Sequence, residues 1–550
     1  MDSLRSENRT NPYPALATLV TVFFFWGFIA AGNSVFIPFC KHFFALDQFQ
    51  SQLIDFSFYL AYFLGAMGLY ALSVWGGRDV VALWGYRASL VRGLLVSAFG
   101  AAVMIGMVLV RSFEGMLAGL FVMALGFSLQ QTAAQPLALA LGDPESGAAR
   151  ISLGGGVNSF GTAIGPLVVS LALFGSASAM NDEAIRGLSL HKVVLLYCAV
   201  GLLFVAAAAL FQFSKNIPGQ LQGKAVQAET GGLILLLGLA LPVILLFVFV
   251  LATYHSRVET EWFHNALSLE WMRLLPLIFI AFYVFFYILF FLNPRKALAG
   301  KLPEALKDRQ LRLGMLAIFV YVGVEVSIVS NLGELLRQPG YGAVSTAALA
   351  PYVALYWGSL MMGRWTGAVA AFPLSGVPRR ILTFCMPLLA FGVVLVLFFL
   401  NGFPLQAFLS YWPFPVLAAF LFHFTNHRPA LTLWTLSLLG ALLIVAGMFF
   451  EGPYSRWCFV ATGLMCSVLW PCIFDISVRH LGPLTTQGSA FLIMMILGGA
   501  ILPPLQGKIA DLLRLYGWGA ENAIRWSYWL DVGGFGFLAW FGFMNKTSGN

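Results

Sequence analysis

Residues 313–337 read LGMLAIFVYVGVEVSIVSNLGELLR, an apolar stretch long enough to cross a lipid bilayer, with a carboxylate, Glu325, near its middle. An acidic side chain at the centre of a spanning helix costs about 2.5–3.5 kcal/mol on insertion scales. Such residues usually face a protein interior or a water-filled path. The stretch therefore predicts a membrane helix with Glu325 directed toward a transport pathway.

The composition extends this interpretation to the whole chain. Of its 550 residues, 60% are hydrophobic and only 10% are charged. Apolar runs of about 20 residues recur from end to end. Lipid leaves spanning helices or closed barrels as the ways to satisfy backbone hydrogen bonds, and the strand alternation of a barrel is missing from the sequence. The chain is therefore predicted to be an all-α polytopic membrane protein.

The apolar runs form two sets with further segments between them. Core spans are predicted near 17–40, 52–76, 88–111, 113–142, 151–174, 190–213, 313–337, 346–372, 454–480, 485–513 and 524–544. The further segments lie near 230–253, 271–292, 381–400, 405–424 and 430–450, and one of the last three completes the second set. These runs predict about 16 spans, with 405–424 the weakest because Pro413 and Pro415 interrupt it.

Three units follow from this pattern. Residues 1–214 are predicted to form a six-helix bundle, and residues 215–312 an inserted hairpin with a basic linker. Residues 313–550 are predicted to form a second bundle with an inserted hairpin near 381–424. Lysine and arginine concentrate in loops on one side of this arrangement, which predicts that both termini are cytoplasmic.

The sequence favours neither an enzyme nor a nucleic-acid-binding protein. The net charge of +8 comes from scattered basic residues in short loops, a pattern typical of orientation signals. There is no metal-ligand cluster, no phosphate-binding glycine loop and no nucleophile with a base at a recognisable spacing. Gly154-Gly155-Gly156 lies inside a span, where it predicts helix packing. No cofactor or metal is expected.

Short motifs in one order run through most of the chain. They are Phe25-Trp26-Gly27, Gln131-Thr132-Ala133-Ala134-Gln135-Pro136, Tyr321 to Ser327, Gly363-Arg364-Trp365-Thr366-Gly367 and Trp470-Pro471-Cys472. Together they resemble the fucose, hexose and glucose/galactose branch of the major facilitator superfamily. The resemblance implies two six-helix bundles, to which the hairpins at 230–292 and 381–424 are additions. It also implies a sugar transporter working by alternating access in a bacterial plasma membrane.

The resemblance further implies a central cavity lined by the first, fourth, seventh and tenth core helices. Hexose hydroxyls both donate and accept hydrogen bonds, so amide and aromatic side chains suit a sugar pocket. The residues expected to bind substrate are Trp26, Asn33, Gln130, Gln131, Gln135, Asn158, Tyr321, Asn331 and Trp470. The alternative for each amide is a hydrogen bond between helices that only stabilises the bundle.

Coupling to an ion does not carry over from the family. Its proton-coupled fucose transporter has acidic residues in the first and fourth helices, where this sequence has Ser34 and Gln131, which cannot titrate. Glu325 and Asp55 are therefore the predicted coupling residues, and proton and sodium both stay open as the coupling ion. The alternatives are a sugar facilitator without coupling and, further off, a membrane protein that binds or senses without transport.

Charged residues near the inner helix ends are predicted to form a cytoplasmic gate. Arg364 is expected to pair with a carboxylate or a helix C-terminus, with Arg78 and Asp79 as its counterpart in the first half. Asp475 lies four residues before Arg479, a spacing that favours a local ion pair on a helix. The alternative for these charges is a role in membrane orientation alone.

Overall fold

The computed structural model places most of the described chain in long helices. It describes residues 13–44, 48–174, 190–215, 303–344, 349–425, 428–450 and 452–546, with single residues and short pieces between 217 and 283. In these residues, ten helices are long and apolar enough to cross a membrane. The prediction of an all-α polytopic membrane protein is confirmed, whereas the total of about 16 spans stays a prediction.

The first half contains six long helices in its described residues. They are α1 (Tyr13–Phe43), α2 (Gln48–Trp75), α3 (Tyr86–Val110), α4 (Phe113–Ala140), α5 (Gly147–Phe174) and α6 (Leu190–Phe213). Each one coincides with a span predicted from the sequence. α3 packs along α4 and α6, while α1 packs along α5.

The second half contains more helices, several of them short. They are α7 (Arg309–Leu336), α8 (Ala350–Ala368), α9 (Gly376–Leu400), α10 (Pro413–Thr425), α11 (Pro429–Phe449), α12 (Pro453–Cys466), α13 (Leu469–Val478), α14 (Thr485–Met494), α15 (Gly498–Leu515), α16 (Ala520–Ser527) and α17 (Trp529–Lys546). α11 packs along α12 and α17, the same relation that α3 has to α4 and α6. α9 packs instead between α8 and α10.

Several predicted spans are interrupted helices in the structure. The span predicted at 454–480 is divided into α12 and α13, because Pro471 has no N–H to donate to the Ser467 carbonyl one turn earlier. The span at 485–513 is divided by a 3₁₀ turn at Met495–Leu497. The weak span at 405–424 is divided into Leu405–Leu409 and α10, as its prolines predicted.

The segments predicted at 230–253 and 271–292 lie mostly outside the described residues. Where they are described, the Tyr283 hydroxyl donates to the Gly238 carbonyl at 2.6 Å, which joins the two segments. The Trp271 indole donates to the Tyr516 hydroxyl at 3.2 Å. Leu274 is buried in an apolar cluster with residues of α15. The described part of this region therefore packs against the second half.

Glycines allow α3 and α4 to pack backbone against backbone. A Cβ atom at Gly100 of α3 would lie 2.4 Å from the Met123 nitrogen, and one at Gly119 of α4 would lie 2.8 Å from the Met104 nitrogen. Both distances are shorter than any side chain tolerates, and the opposing atoms belong to the backbone, which cannot rotate away. Gly100 and Gly119 therefore mediate the close packing of α3 and α4.

We expect Gly100→Ala to destabilise the protein by about 1–3 kcal/mol, because the new methyl group forces two helices apart. Gly106→Ala is the matched control on the same helix, since a Cβ atom there meets nothing within 4 Å. That control is expected to be neutral or stabilising by up to about 1 kcal/mol, the helix propensity difference. The measurement is the unfolding temperature of the purified protein in detergent, and equal temperatures for the two variants would contradict the packing.

Candidate functional site

Arg364 of α8 lies where the two halves meet near Glu325. Its Nη2 atom is 3.5 Å from Glu325 Oε1 of α7, and its Nη1 atom donates to the Ser159 hydroxyl of α5 at 2.9 Å. Its Nε atom donates to the Ser467 carbonyl at 3.1 Å. The Arg364 and Glu325 side chains are only 14% and 10% exposed. One guanidinium group thus connects the first half to two other elements of the second half.

The carbonyl that Arg364 binds is free for a reason visible in the sequence. Within an α-helix, the Ser467 carbonyl would accept from the N–H of residue 471, but that residue is proline. The helix breaks between α12 and α13 at this point, and the Ser467 carbonyl accepts from Arg364 instead. Pro471 of the predicted Trp470-Pro471-Cys472 motif therefore prepares a binding position for the arginine.

Trp365 makes a second contact across the halves. Its indole N–H donates to the Gly156 carbonyl of α5 at 3.1 Å. A Cβ atom at Gly156 would lie 2.7 Å from Trp365 Cδ1, and one at Gly155 would lie 3.2 Å from Arg364 Cδ. The predicted packing role of Gly154-Gly155-Gly156 is confirmed, since side chains there would separate α5 from α8.

Two aromatic residues predicted to bind substrate lie together, and one of them, Tyr321, is next to Glu325. Tyr321 precedes Glu325 by one helical turn, and its ring centroid is 6.4 Å from that of Trp470. Tyr321 is buried, whereas Trp470 is half-buried. The Glu325 backbone carbonyl accepts from the Tyr356 hydroxyl at 2.8 Å, which attaches α7 to α8. The structure thus brings Glu325, Tyr321, Trp470 and Arg364 together.

The amides of α4 have different surroundings. Gln130 is fully buried, accepts from the Trp26 indole at 2.9 Å and donates to the Ser97 hydroxyl at 3.1 Å. These are hydrogen bonds between helices of one half, as in the alternative considered for each amide. Gln131 is half-buried and donates to the Tyr62 hydroxyl at 3.0 Å. A sugar-binding role for Trp26 and Gln130 stays a prediction, and their contacts are those of structural residues.

The remaining predicted substrate residues are spread over both halves. Asn158 of α5 donates to the Phe23 carbonyl of α1 at 3.0 Å. Asn331 of α7 donates to the Gln506 side-chain carbonyl of α15 at 2.8 Å. The Gln135 side-chain oxygen is buried and has no hydrogen-bond partner among the described residues. Asn33 and the predicted coupling residue Asp55 lie in α1 and α2, but their side chains are outside the described residues.

Asp475 lies at the inner contact between the halves. It forms the predicted ion pair with Arg479, one turn later on the same helix. A Cβ atom at Gly147 of α5 would lie 2.9 Å from Asp475 Oδ1, so the carboxylate touches the first half. Arg150, one turn into α5, donates to the carbonyls of Ala138 and Leu139 at 2.6 Å each. Arg150 was not among the predicted site residues.

The structure gives the predicted pair Arg78 and Asp79 separate surroundings. Asp79 is buried and accepts from the Val81 and Ala82 N–H groups at 2.9 and 3.0 Å, so it caps the short helix Val80–Trp84. Burial raises the pKa of the Asp79 carboxyl group, and the two N–H donors oppose that rise. Arg78 is exposed. A gating role for either residue stays a prediction.

A cavity of about 1240 Å³ opens between the halves on the side of the predicted cytoplasmic loops. Both halves line it, with Leu16 and Arg150 from the first, and Arg379, Arg428 and Arg479 from the second. Basic residues outnumber the acidic lining residues Asp143 and Glu145. The cavity lies next to the Asp475 contact.

Two further residues of note are missing from the predictions. Ser159 follows the predicted residue Asn158, yet it is the side chain that Arg364 binds. Asp531 is fully buried in α17. Its signal in the sequence is an acidic residue inside the apolar run 524–544, the same kind of signal that identified Glu325.

No family model matches the chain. It is 27% identical over 504 residues to the glucose/galactose transporter of Brucella abortus, an alignment covering 91% of this chain and 89% of the relative. It is 23% identical over 523 residues to the L-fucose-proton symporter of Escherichia coli, covering 93% of this chain and 90% of the relative. These relatives are transporters.

Comparison with solved structures gives the fold. The crystal structure of the Escherichia coli fucose:proton symporter matches with a TM-score of 0.60 at 19% identity, covering 97% of this chain and 99% of the symporter. A human organic anion transporter matches with a TM-score of 0.52 at 14% identity, covering 95% and 99%. The predicted resemblance to the fucose/hexose and glucose/galactose branch is confirmed.

We expect Gln130→Ala to destabilise the protein by about 1–3 kcal/mol, because the buried Trp26 N–H is left without an acceptor. Gln131→Ala, at the adjacent position, is expected to cost less because Gln131 is half-buried and has one partner. Unfolding temperatures in detergent test the difference. An unfolding temperature of Gln130→Ala equal to that of the unmodified protein would contradict a structural role for this amide.

We expect Ser152→Cys combined with Gly367→Cys to form a disulfide that joins the two halves. A Cβ atom at Gly367 of α8 would lie 3.4 Å from Ser152 Cβ of α5, close to the range of about 3.5–4.5 Å found in disulfides. Mass spectrometry of the oxidised, digested protein detects the linked peptides. The matched control is Ser152→Cys with Gly358→Cys, because the Gly358 position faces Val394 instead. Linkage in the control but not in the test pair would contradict the α5–α8 contact.

Proposed function

Because this chain resembles the fucose/hexose and glucose/galactose branch of the major facilitator superfamily, we propose that it is a secondary active sugar transporter working by alternating access. The substrate is a hexose or a fucose-type sugar. It is a transporter and not an enzyme, a proposal supported by the names of its relatives. The observation that carries the proposal is the set of contacts made by Arg364. Its guanidinium group binds the buried Glu325, the Ser467 carbonyl at a helix break, and Ser159 of the opposite half.

We propose that two six-helix bundles, within residues 1–214 and 313–550, form the transporting body. The packing of α11 against α12 and α17 supports α11 as the helix that completes the second bundle. α9 and the proline-interrupted segment after it then form one inserted hairpin, near 381–424. Residues 215–312 supply the other hairpin and a basic linker. Both termini lie in the cytoplasm of a bacterium, as the distribution of lysine and arginine favours.

We propose that the sugar binds next to Glu325. The half-buried Trp470 ring, beside Tyr321, offers an apolar face for a sugar ring. The buried Gln135 side-chain oxygen of α4 has no partner among the described residues and can accept from a sugar hydroxyl. Gln131 and Asn158 add partly exposed amides. An amide-rich site of this kind discriminates between hexoses by which hydroxyls it leaves unpaired.

We propose that a cation, either a proton or sodium, binds at Glu325 and weakens its attraction to Arg364. Removing the charge of one partner leaves the other buried and uncompensated, at a cost of about 3–5 kcal/mol for a fully buried pair. Arg364 also binds Ser159 of the first half, so a change at Glu325 alters a contact between the halves. This is the differential interaction that coupling requires between two access states.

At the inner side, we propose that Asp475 and Arg479 form a gate with the first half. The approach of the Asp475 carboxylate to Gly147 supports this role, because rocking the halves apart separates the two. Arg364 is also proposed as a gating residue, with Arg78 and Asp79 as its counterpart in the first half.

A facilitator without coupling is the second candidate function. The observation that favours it is at Gln131, which is neutral and hydrogen-bonded to the Tyr62 hydroxyl, where the fucose transporter of the family has an acid. A site with a neutral pair at this position has no group there to bind a proton.

Uptake of labelled glucose, galactose, fucose and N-acetylglucosamine into proteoliposomes, with imposed proton or sodium gradients, tests both candidates. For the coupled transporter we expect accumulation above equilibrium that depends on one gradient. In Glu325→Gln the accumulation is expected to fall to the equilibrium level, because a neutral amide cannot bind and release the ion.

Glu334→Gln is the matched control for this prediction. Glu334 lies on the same helix as Glu325 but pairs with Arg337 and Arg514 near the end of α7, with a side chain 32% exposed. It is expected to keep full accumulation. Uptake by the unmodified protein that equilibrates and ignores both gradients would favour the facilitator, and no uptake of any of these sugars would overturn the substrate class.

A further inference from the structure

Asp531 is a second carboxyl group enclosed in the second half. It lies in the first turn of α17, is fully buried, and both of its oxygens lack a hydrogen-bond partner among the described residues. The Asp531 and Val532 N–H groups both donate to the Tyr528 carbonyl, at 3.0 and 3.1 Å. A carboxylate ion in such surroundings is so costly that the group takes up a proton instead.

The hydrogen-bond directions around Ser327 of α7 support this state. Asn331 donates to the Ser327 backbone carbonyl at 3.0 Å, which identifies the donating side-chain atom as the amide nitrogen. The same nitrogen lies 2.8 Å from the Gln506 side chain, which must therefore present its oxygen. That oxygen also accepts from the Ser327 hydroxyl at 2.6 Å. The only hydrogen of the Ser327 hydroxyl is thus committed to Gln506.

The Ser327 hydroxyl also faces the Asp531 carboxyl group. Since its hydrogen is engaged, Ser327 can only accept a hydrogen bond from Asp531. A carboxyl group donates only when it is protonated. The oxygens of ionised Asp531 would be repelled by the lone pairs of the Ser327 hydroxyl oxygen. Protonated Asp531 instead donates to that oxygen and completes a chain of hydrogen bonds that ends at Gln506.

We propose that Asp531 is a second proton-binding residue, which carries a proton in this structure and exchanges it during the transport cycle. This inference rests on the proposed transport function and adds a site to it. The two acids have opposite surroundings, because Glu325 has Arg364 as a cationic partner and Asp531 has none among the residues that the structure describes. Contrasting environments of this kind give two carboxyl groups different protonation states at one pH.

The groups that face Asp531 are neutral. They are Tyr528 at the preceding turn, Ser327 of α7 and the Cys466 thiol of α12, which also faces Glu325. None of the described ion pairs includes Asp531, and no arginine, lysine or histidine in the described residues interacts with it. Close packing keeps other groups out, since a Cβ atom at Gly534 of α17 would lie 2.4 Å from Val324 of α7.

Loss of the proton would change the contact between α7 and α15. Ionised Asp531 becomes an acceptor, so the Ser327 hydroxyl turns toward it and Gln506 loses a donor. Gln506 lies two turns after Gly499, whose Cβ position is 3.6 Å from the Tyr59 ring of α2 in the first half. Protonation of Asp531 therefore acts on a helix that contacts the opposite half.

The test uses Asp531→Asn, which keeps the shape and a donor toward Ser327 but cannot exchange a proton. In proteoliposomes we expect this variant to catalyse sugar exchange at equilibrium while its proton-driven accumulation falls to the equilibrium level. Asp511→Asn is the matched control, because Asp511 is 47% exposed on α15 and pairs with Lys508; it is expected to retain accumulation. Accumulation by Asp531→Asn equal to that of the unmodified protein would overturn the proposal.

Infrared spectroscopy gives a readout that does not depend on any sugar. The unmodified protein is expected to show the carbonyl stretching band of a buried protonated carboxyl group, which disappears in Asp531→Asn and persists in Asp511→Asn. Ser327→Ala is expected to shift this band, because it removes the acceptor. If this band is missing at neutral pH, the proposal for Asp531 is overturned, even in protein that transports sugar. If the band is present in protein that transports none of the tested sugars, the proposed substrate is wrong and the protonation of Asp531 stands.

Discussion

The guanidinium group of Arg364 is the constraint on which the site depends. A buried cation must have its donors satisfied, and here an acid of α7, the free carbonyl before α13 and a hydroxyl of α5 share that task. Three separate parts of the fold are held at fixed distances by one side chain. Any motion of the halves that withdraws Ser159 must leave the cation with fewer partners or give it new ones, so its charge balance is linked to the relative position of the halves.

Small residues and prolines make this arrangement sterically possible. Gly155 and Gly156 let α8 approach α5 closely enough for Arg364 and Trp365 to reach across. Pro471 releases the carbonyl that Arg364 binds. The glycines have this effect because they lack a side chain, and the proline because it lacks an N–H group. The polar contact and the close backbone approach therefore depend on each other.

The second half separates its two buried acids by their surroundings. Glu325 has a cation within ion-pair distance, whereas the oxygens of Asp531 have no donor among the described residues. The Cys466 thiol interacts with both acids and offers neither charge nor a strong hydrogen bond. The second half, to which Arg364 belongs, thus also contains a neutral polar network through Ser327 and Gln506. The second half thus contains two buried carboxyl groups with chemically distinct surroundings.

Composition and apolar run length by themselves determined the class of protein and the positions of its helices, because lipid allows little other than spanning helices for such a chain. An acid in an apolar run identified Glu325, and the spacing of Asp475 and Arg479 determined their ion pair. Only the tertiary structure decided that Arg364 is the partner of Glu325 and that Gln130 is hydrogen-bonded between helices. It also decided that Asp531 has no cationic partner in the described part of the chain. These outcomes depend on which faces of distant helices meet. The sequence of one helix does not indicate which residue of another helix will become the hydrogen-bond or ion-pair partner of its polar side chains.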